Sequence, residues 1–180
     1  MRKSLVAEVP CSPAPEPPKF NVMSQEPLVV TSFDRLRFIV IDDDRAILQV
    51  VEAFLTAAAV GGVIPAISCF TALNLMADKT KKIDCIICDH SMPTMTGLAL
   101  LQQIRGGKHP NIPRNLPFIM LTSSGQEEVV RAAVALDVHG YVRKPVSKDV
   151  LVKAIHRAFN RQLNLKNPAD YLSYPLPAEP

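Results

Sequence analysis

The chain has 180 residues, 48% of them apolar and 21% charged, which excludes a disordered polymer and leaves ample side chain for one hydrophobic core. Twenty Lys and Arg against 17 Asp and Glu give a formal charge of +3 with no dense basic block, so the balance does not argue for nucleic acid. No apolar run is long enough to span a bilayer, and prolines break the amino-terminal stretch, which excludes membrane insertion and a signal peptide and makes a cytoplasmic protein the expectation. Cysteines 11, 69, 85 and 88 lack the frame of a secreted disulfide scaffold and suit a reduced compartment.

Residues 1–27 carry six of the 16 prolines, so residues 1–35 are expected to be a flexible extension. Met23 offers a second start, which an intact mass matching a start at Met1 would exclude.

From there the chain alternates short apolar runs with amphipathic stretches. Residues 36–41 read as a central strand, followed at once by Asp42, Asp43 and Asp44. Residues 45–59 predict a helix with Ile47, Leu48, Val51, Phe54, Leu55 and Ala58 on one face, capped by Asp44 and ended by Gly61-Gly62. A second strand at 63–67 leads to a helix at 68–78. The third strand, 83–88, delivers Asp89 at its end, ahead of a loop stiffened by Met92-Pro93 and turned by Gly97 into a helix at 98–104.

The connection 108–116, with Pro110 and Pro113, is long for a tight fold and suggests an insertion on the rim away from the chemistry. A fourth strand at 118–121 ends in Thr122, and a helix follows over 127–136. A fifth strand at 140–142 ends in Arg143-Lys144-Pro145, and a last helix, capped by Ser147, runs over 147–162. Residues 163–180, with four further prolines, are expected to trail off as a tail.

Five strand–helix units within residues 36–162, with nearly unbroken apolar strands, predict one α/β domain built on a parallel sheet covered on both faces. In such a sheet the reactive crevice lies outside the carboxyl ends of the strands. Asp42, Asp43, Asp89, Thr122 and Lys144 all fall there. Three converging carboxylates repel and call for a cation, and an oxygen-only ligand set suits a hard ion such as Mg2+. Lys144 adds a fixed ammonium and Thr122 a hydroxyl. A carboxylate with such neighbours is equipped to attack a phosphoryl group and hold the acyl phosphate.

The motifs IVIDDD, ICDHSMPTMTG, MLTSSG and GYVRKP together make the chain resemble the receiver domain of two-component response regulators, above all the single-domain chemotaxis-type (CheY-like) regulators. The resemblance covers about residues 36–160. It implies a flavodoxin-like, doubly wound five-stranded parallel sheet in the order 2-1-3-4-5 with five helices. Asp89 matches the phospho-acceptor, with Asp42 and Asp43 as the acidic pair and the Ser91 backbone carbonyl as a further ligand to Mg2+. Thr122 and Lys144 match the two residues that contact the phosphoryl group. Tyr141 matches the switch aromatic paired with Thr122, and Pro145 the proline whose preceding peptide is typically cis. Gly97 matches the glycine of the acceptor loop.

The chain departs from the pattern at Thr96, where the family usually has an acidic residue, and at Asp137-Val138, where it has Gly-Ala. Ser91 and Ser124 stand at variable positions that influence hydrolysis in the family. The resemblance implies a stand-alone signalling protein and not an enzyme. It would take phosphoryl from a histidine kinase or histidine phosphotransfer protein and act on a downstream protein target. The output face would be residues 127–162, with no direct DNA binding; homodimerisation through that face stays open. The alternative is a receiver-fold interaction module that works without phosphorylation.

Other signals point elsewhere. Cys85 and Cys88 have CxxC spacing, but residues three apart in a strand face opposite ways, so buried packing is expected instead of zinc. His90 is expected to be an exposed loop residue, and His109, His139 and His156 share no ligand spacing. Met92, Met95 and Met120 read as packing. There is no P-loop motif.

Overall fold

A computed structural model of the chain describes residues 32–123 and 127–178. The extension up to residue 31, with Cys11 and the second start at Met23, lies outside the described residues, as does Ser124. The elements run β1 (Arg37–Ile41), α1 (Arg45–Ala57), β2 (Gly62–Ala66), α2 (Cys69–Ala77), β3 (Cys85–Asp89) and α3 (Gly97–Arg105). They continue with β4 (Phe118–Thr122), α4 (Glu127–Ala135), β5 (Gly140–Arg143), α5 (Lys148–Asn160) and a short α6 (Pro168–Leu172). The five strands form one parallel sheet in the order β2-β1-β3-β4-β5. The flavodoxin-like class and strand order are those expected; the sixth helix is not.

The strands alternate between two cores because successive side chains point to opposite faces. Phe38, Val40, Cys85, Ile87, Ile119, Leu121 and Val142 pack with Leu48, Val51 and Leu55 of α1 and Leu151 and Ile155 of α5. Ile39, Ile41, Ile86, Cys88, Phe118 and Met120 pack on the other face with α2, α3 and α4. Cys85 and Cys88 thus lie on opposite faces, both fully buried, and burial pushes both thiols up, as suits packing and not metal ligation. Each fully buried aliphatic side chain in these layers contributes about 1.5–3 kcal/mol. β2 is an edge strand, which is why it tolerates Pro65.

Caps follow the sequence with two adjustments. Asp44 accepts from Ala46 N at 2.8 Å and starts α1, while Ser68 and Thr96 cap α2 and α3 through Thr71 N and Ala99 N. Ser147 stands at the α5 N-cap without a side-chain capping bond. α1 ends at Ala57, ahead of the glycines, with Ala59 turning the chain at φ 55°.

The connection after α3 leads into the amino end of β4, on the rim away from the carboxyl-edge residues, and it is packed down. Ile112 and Leu116 enter the core, and Arg105, with no exposed surface, organises the segment. Its guanidinium donates to the carbonyls of Arg114, Leu116 and Asp137 and to His139 Nδ1 at 3.1 Å. His139 Nδ1 also accepts from Phe118 N at 3.2 Å, so its proton belongs on Nε2. Burial holds Arg105 down at about 10 and His139 down at about 3, the latter with help from the neighbouring Arg105 charge.

The tail expectation is also corrected. Residues 163–178 do not trail away. Asn167 caps α6 by accepting from Ala169 N, with Pro168 in its first turn, and Tyr171 is 1% exposed. The Tyr171 hydroxyl donates to Asp137 Oδ2 at 2.6 Å and accepts from Lys166 N at 3.1 Å. Gln102 Nε2 of α3 donates to the carbonyls of Tyr171 and Tyr174 at 2.9 and 2.8 Å. Gly106, the residue after α3, leaves room for Leu172, whose Cδ2 would lie 2.3 Å from a Cβ there. Leu165, Tyr174 and Leu176 join the core on the α3 side.

Candidate functional site

The strand register brings the polar ends together. Ile41 pairs with Cys88, Asp89 with Leu121 and Thr122 with Arg143, so Asp42, Asp89, Thr122 and Lys144 sit side by side at the carboxyl edge of β1, β3, β4 and β5. Asp42 has no exposed surface; its Oδ1 accepts from Asp44 N at 2.9 Å and its Oδ2 from Lys144 Nζ at 2.8 Å. Asp89 is 3% exposed, with Oδ1 2.8 Å from Lys144 Nζ and Oδ2 accepting from Ser91 N at 3.1 Å. Lys144 is fixed in turn by its own N–H, which donates to Thr122 O at 2.7 Å. The Lys144–Pro145 peptide is cis.

Asp43 completes the cluster. It is exposed, and one carboxylate oxygen each from Asp42, Asp43 and Asp89 fall within 4.8 Å of one another. One ammonium cannot balance three carboxylates. Burial, aided by Asp42 and opposed by Lys144, raises the Asp89 carboxyl above its ordinary range. Burial opposes the charge of Lys144, but its bonds to Asp42 and Asp89 prevail and raise it. The Asp42 charge adds to the burial that raises Asp89, and both carboxylates raise Lys144; a cation would relieve that excess of negative charge. An all-oxygen set of carboxylates, open to solvent on the Asp43 side, fits a hard divalent ion that keeps part of its water.

The acceptor loop is shaped by close approach. Gly97 N donates to His90 O at 3.0 Å, and a Cβ on Gly97 would stand 2.4 Å from Asp89 O. Glycine is therefore required for the loop to fold back under Asp89. Thr122 is fully buried, and Tyr141, half-buried on β5 beside Met120, packs on the α3–α4 core. Met92 and Met120 are buried and Met95 half-buried, all in packing roles.

The response regulator receiver domain model matches residues 38–156. The chain belongs to the response regulator receiver domain family. Chemotaxis protein CheY of Pseudomonas aeruginosa is 26% identical over 126 residues, 70% of this chain and 98% of that protein. A receiver domain protein from Clostridium thermocellum superposes with a TM-score of 0.60 at 30% identity, covering 69% of this chain and 94% of that one. Vibrio cholerae CheY4 gives 0.59 at 27%, covering 69% and 98%. The protein is a CheY-like receiver, of a family of signalling proteins. No described helix is long and apolar enough to cross a membrane.

Within this receiver domain, His90 departs from expectation. It is 8% exposed, and it lines a pocket together with residues far along the chain. That pocket, of about 320 Å³, is lined by Asp43, by residues 90–93 of the acceptor loop and by Leu176, Pro177 and Ala178 of the carboxyl-terminal segment. The two departures from the family pattern have physical reasons here. Asp137, at φ 55°, receives the Tyr171 hydroxyl, and Thr96 caps α3 and lines the same pocket. Sequence reasoning missed residues 165–178. The legible signals were Asn167-Pro168 as a helix start and the apolar spacing of Tyr171, Leu172, Tyr174 and Leu176.

Proposed function

We propose that this chain is a stand-alone response regulator of a two-component phosphorelay, phosphorylated on Asp89 and signalling through protein–protein contacts. The observation that carries the reading is Lys144 Nζ held 2.8 Å from both Asp42 and Asp89 within a three-carboxylate cluster. A structural ion pair needs one carboxylate; two on one ammonium with a third alongside suit a site awaiting a divalent cation and a phosphoryl group. Asp42, Asp43, Asp89 and the Ser91 carbonyl would hold Mg2+, which would offset the charge on the incoming phosphoryl oxygens.

Asp89 is the nucleophile of this proposal, and its basicity is kept up by burial. Lys144 stands ready to follow the new negative charge, and Thr122, beside it at the end of β4, can donate a hydroxyl. Movement of Thr122 toward the phosphoryl group would let Tyr141 repack, biasing a two-state equilibrium of the α4–β5–α5 face. Donors would be a histidine kinase or histidine phosphotransfer protein, and the output a downstream protein target in the cytoplasm.

The test is incubation of the chain with Mg2+ and ammonium phosphoramidate, followed by intact mass. A gain of about 80 Da that does not occur when the metal is chelated beforehand and is absent in Asp89→Asn is the expected result. No gain with metal present would overturn it in favour of an interaction module that works unmodified.

A further inference from the structure

α4 is a helix with little to hold it in place from within. It has nine residues, too few for a stable helix in water, and Val129, Val130 and Val134 are branched at Cβ. Its last turn carries no basic residue of its own. In the chain it lies between Thr122, at the end of β4, and Tyr141 of β5.

The carboxyl-terminal segment supplies what α4 lacks. Lys166 Nζ donates at 2.7 Å to the carbonyl of Ala135, the last residue of α4, and so places a cation at the negative end of the helix. In the turn that follows, Asp137 Oδ2 accepts from the Tyr171 hydroxyl at 2.6 Å, and this bond is sealed, Tyr171 being 1% exposed. The same segment is fixed on its other side to α3. Gln102 Nε2 donates to the carbonyls of Tyr171 and Tyr174, and Leu172 fills the space above Gly106. Residues 166–174 therefore bridge α3 and the carboxyl end of α4. The bonds to Ala135 and Asp137 have little slack, because a shift of about 1 Å takes either one outside good hydrogen-bonding range.

We propose that residues 166–174 are an intramolecular clamp that holds α4 and its turn into β5 against α3 in the unphosphorylated arrangement, so that docking of this segment and phosphorylation of Asp89 oppose each other. The proposal rests on Asp89 being the acceptor and on Thr122 and Tyr141 responding to it. Movement of Thr122 toward a phosphoryl group pulls at the near end of α4 while the clamp holds the far end. The clamp contacts are made to one of the two states and so bias the equilibrium toward it. Linkage makes the coupling reciprocal: loosening the clamp favours the phosphorylated state, and phosphorylation loosens the clamp.

The experiment loads the full chain with ammonium phosphoramidate and Mg2+ and confirms the added mass. In loading, an Asp89 oxygen bonds phosphorus as the P–N bond of phosphoramidate breaks and ammonia leaves. Amide exchange across residues 166–174 is then compared, at times short against decay of the added mass, with that of the chain in Mg2+ alone. Exchange there is expected to be at least about threefold faster in the phosphorylated chain, with β1 and β3 unchanged. Tyr171→Phe and Lys166→Ala weaken the clamp without touching the acceptor site. Both are expected to reach half-maximal loading at phosphoramidate concentrations at least about threefold lower, since more of the chain is in the competent arrangement. Exchange that is equal in the two forms of the unaltered chain, or slowed by phosphorylation, overturns the clamp while leaving Asp89 as acceptor. Variants that load at the same concentration as the unaltered chain overturn it too. Failure of the unaltered chain to gain mass overturns the acceptor reading itself, and the clamp with it.

Discussion

The Tyr171 hydroxyl donates to Asp137 Oδ2 at 2.6 Å across 34 residues of sequence, tying the carboxyl-terminal segment to the turn between α4 and β5. Both partners gain from it. Asp137 holds a left-handed backbone at φ 55°, and Tyr171, pushed up by burial and by this bond, stays a donor through the neutral range. Replacing Tyr171 with Phe removes the bond and leaves Lys166 N without the phenolic acceptor. The expected loss is about 2 kcal/mol, roughly thirtyfold in the local opening equilibrium. Amide exchange within residues 168–174 checks it, and exchange in the β-strands should be far less affected.

Gly106 tests the same docking from the α3 side. A methyl group there would meet Leu172 Cδ2 at 2.3 Å and Cγ at 2.5 Å. Gly106→Ala should therefore lift α6 at a cost of about 1–3 kcal/mol, although alanine is the better helix former. Adding Leu172→Ala removes the clash, and the double variant should regain much of the exchange protection. If it does not, the glycine serves something other than room for Leu172.

Asp89 carries a stability consequence whose sign is fixed by burial. Its carboxyl is raised from an ordinary value of 3.8, so its contribution to stability is present at low pH and lost as pH rises through the elevated folded value. At neutral pH without metal the charged group is a liability. Asp89→Asn should raise the metal-free thermal midpoint. Mg2+ at a hundredfold excess over its Kd should stabilise the unaltered chain by about 2.7 kcal/mol and the variant much less. Calorimetry with and without chelator reads both effects.

His139 gives the opposite slope. Burial first, and then the Arg105 charge, lower it from 6.5 to about 3, so the fold requires the neutral ring. Its contribution is fully present above 6.5 and is lost as pH falls from there toward 3, at up to about 1.4 kcal/mol per pH unit. His139→Asn can keep an acceptor near Phe118 N without titrating. Its stability should start lower and fall less steeply between pH 6 and 4 (about the window that the His139 shift defines), as read by urea midpoints.

The residues of the candidate site were legible because each lies at the end of an apolar run, and a parallel sheet puts all such ends on one edge. Asp42, Asp89, Thr122 and Lys144 needed only the strand order to become neighbours. Gly97 was legible as a turn, but the reason for it, the 2.4 Å approach to Asp89 O, belongs to the folded loop.

By itself the sequence determined the two-faced sheet, through unbroken apolar runs such as Phe38–Ile41 and through the acidic and basic residues that follow them. Local rules sufficed there, since apolar continuity, caps and turns act over a few residues. Only the tertiary structure decided the burial of Arg105, the depressed basicity of His139, and the docking of residues 165–178 beside His90 and Ser91. Those outcomes depend on carbonyls, a carboxylate and a missing Cβ contributed from other elements, 9 to 72 residues away. A proline-rich stretch reads as a tail until the fold supplies Gln102, Gly106 and Asp137 to hold it down.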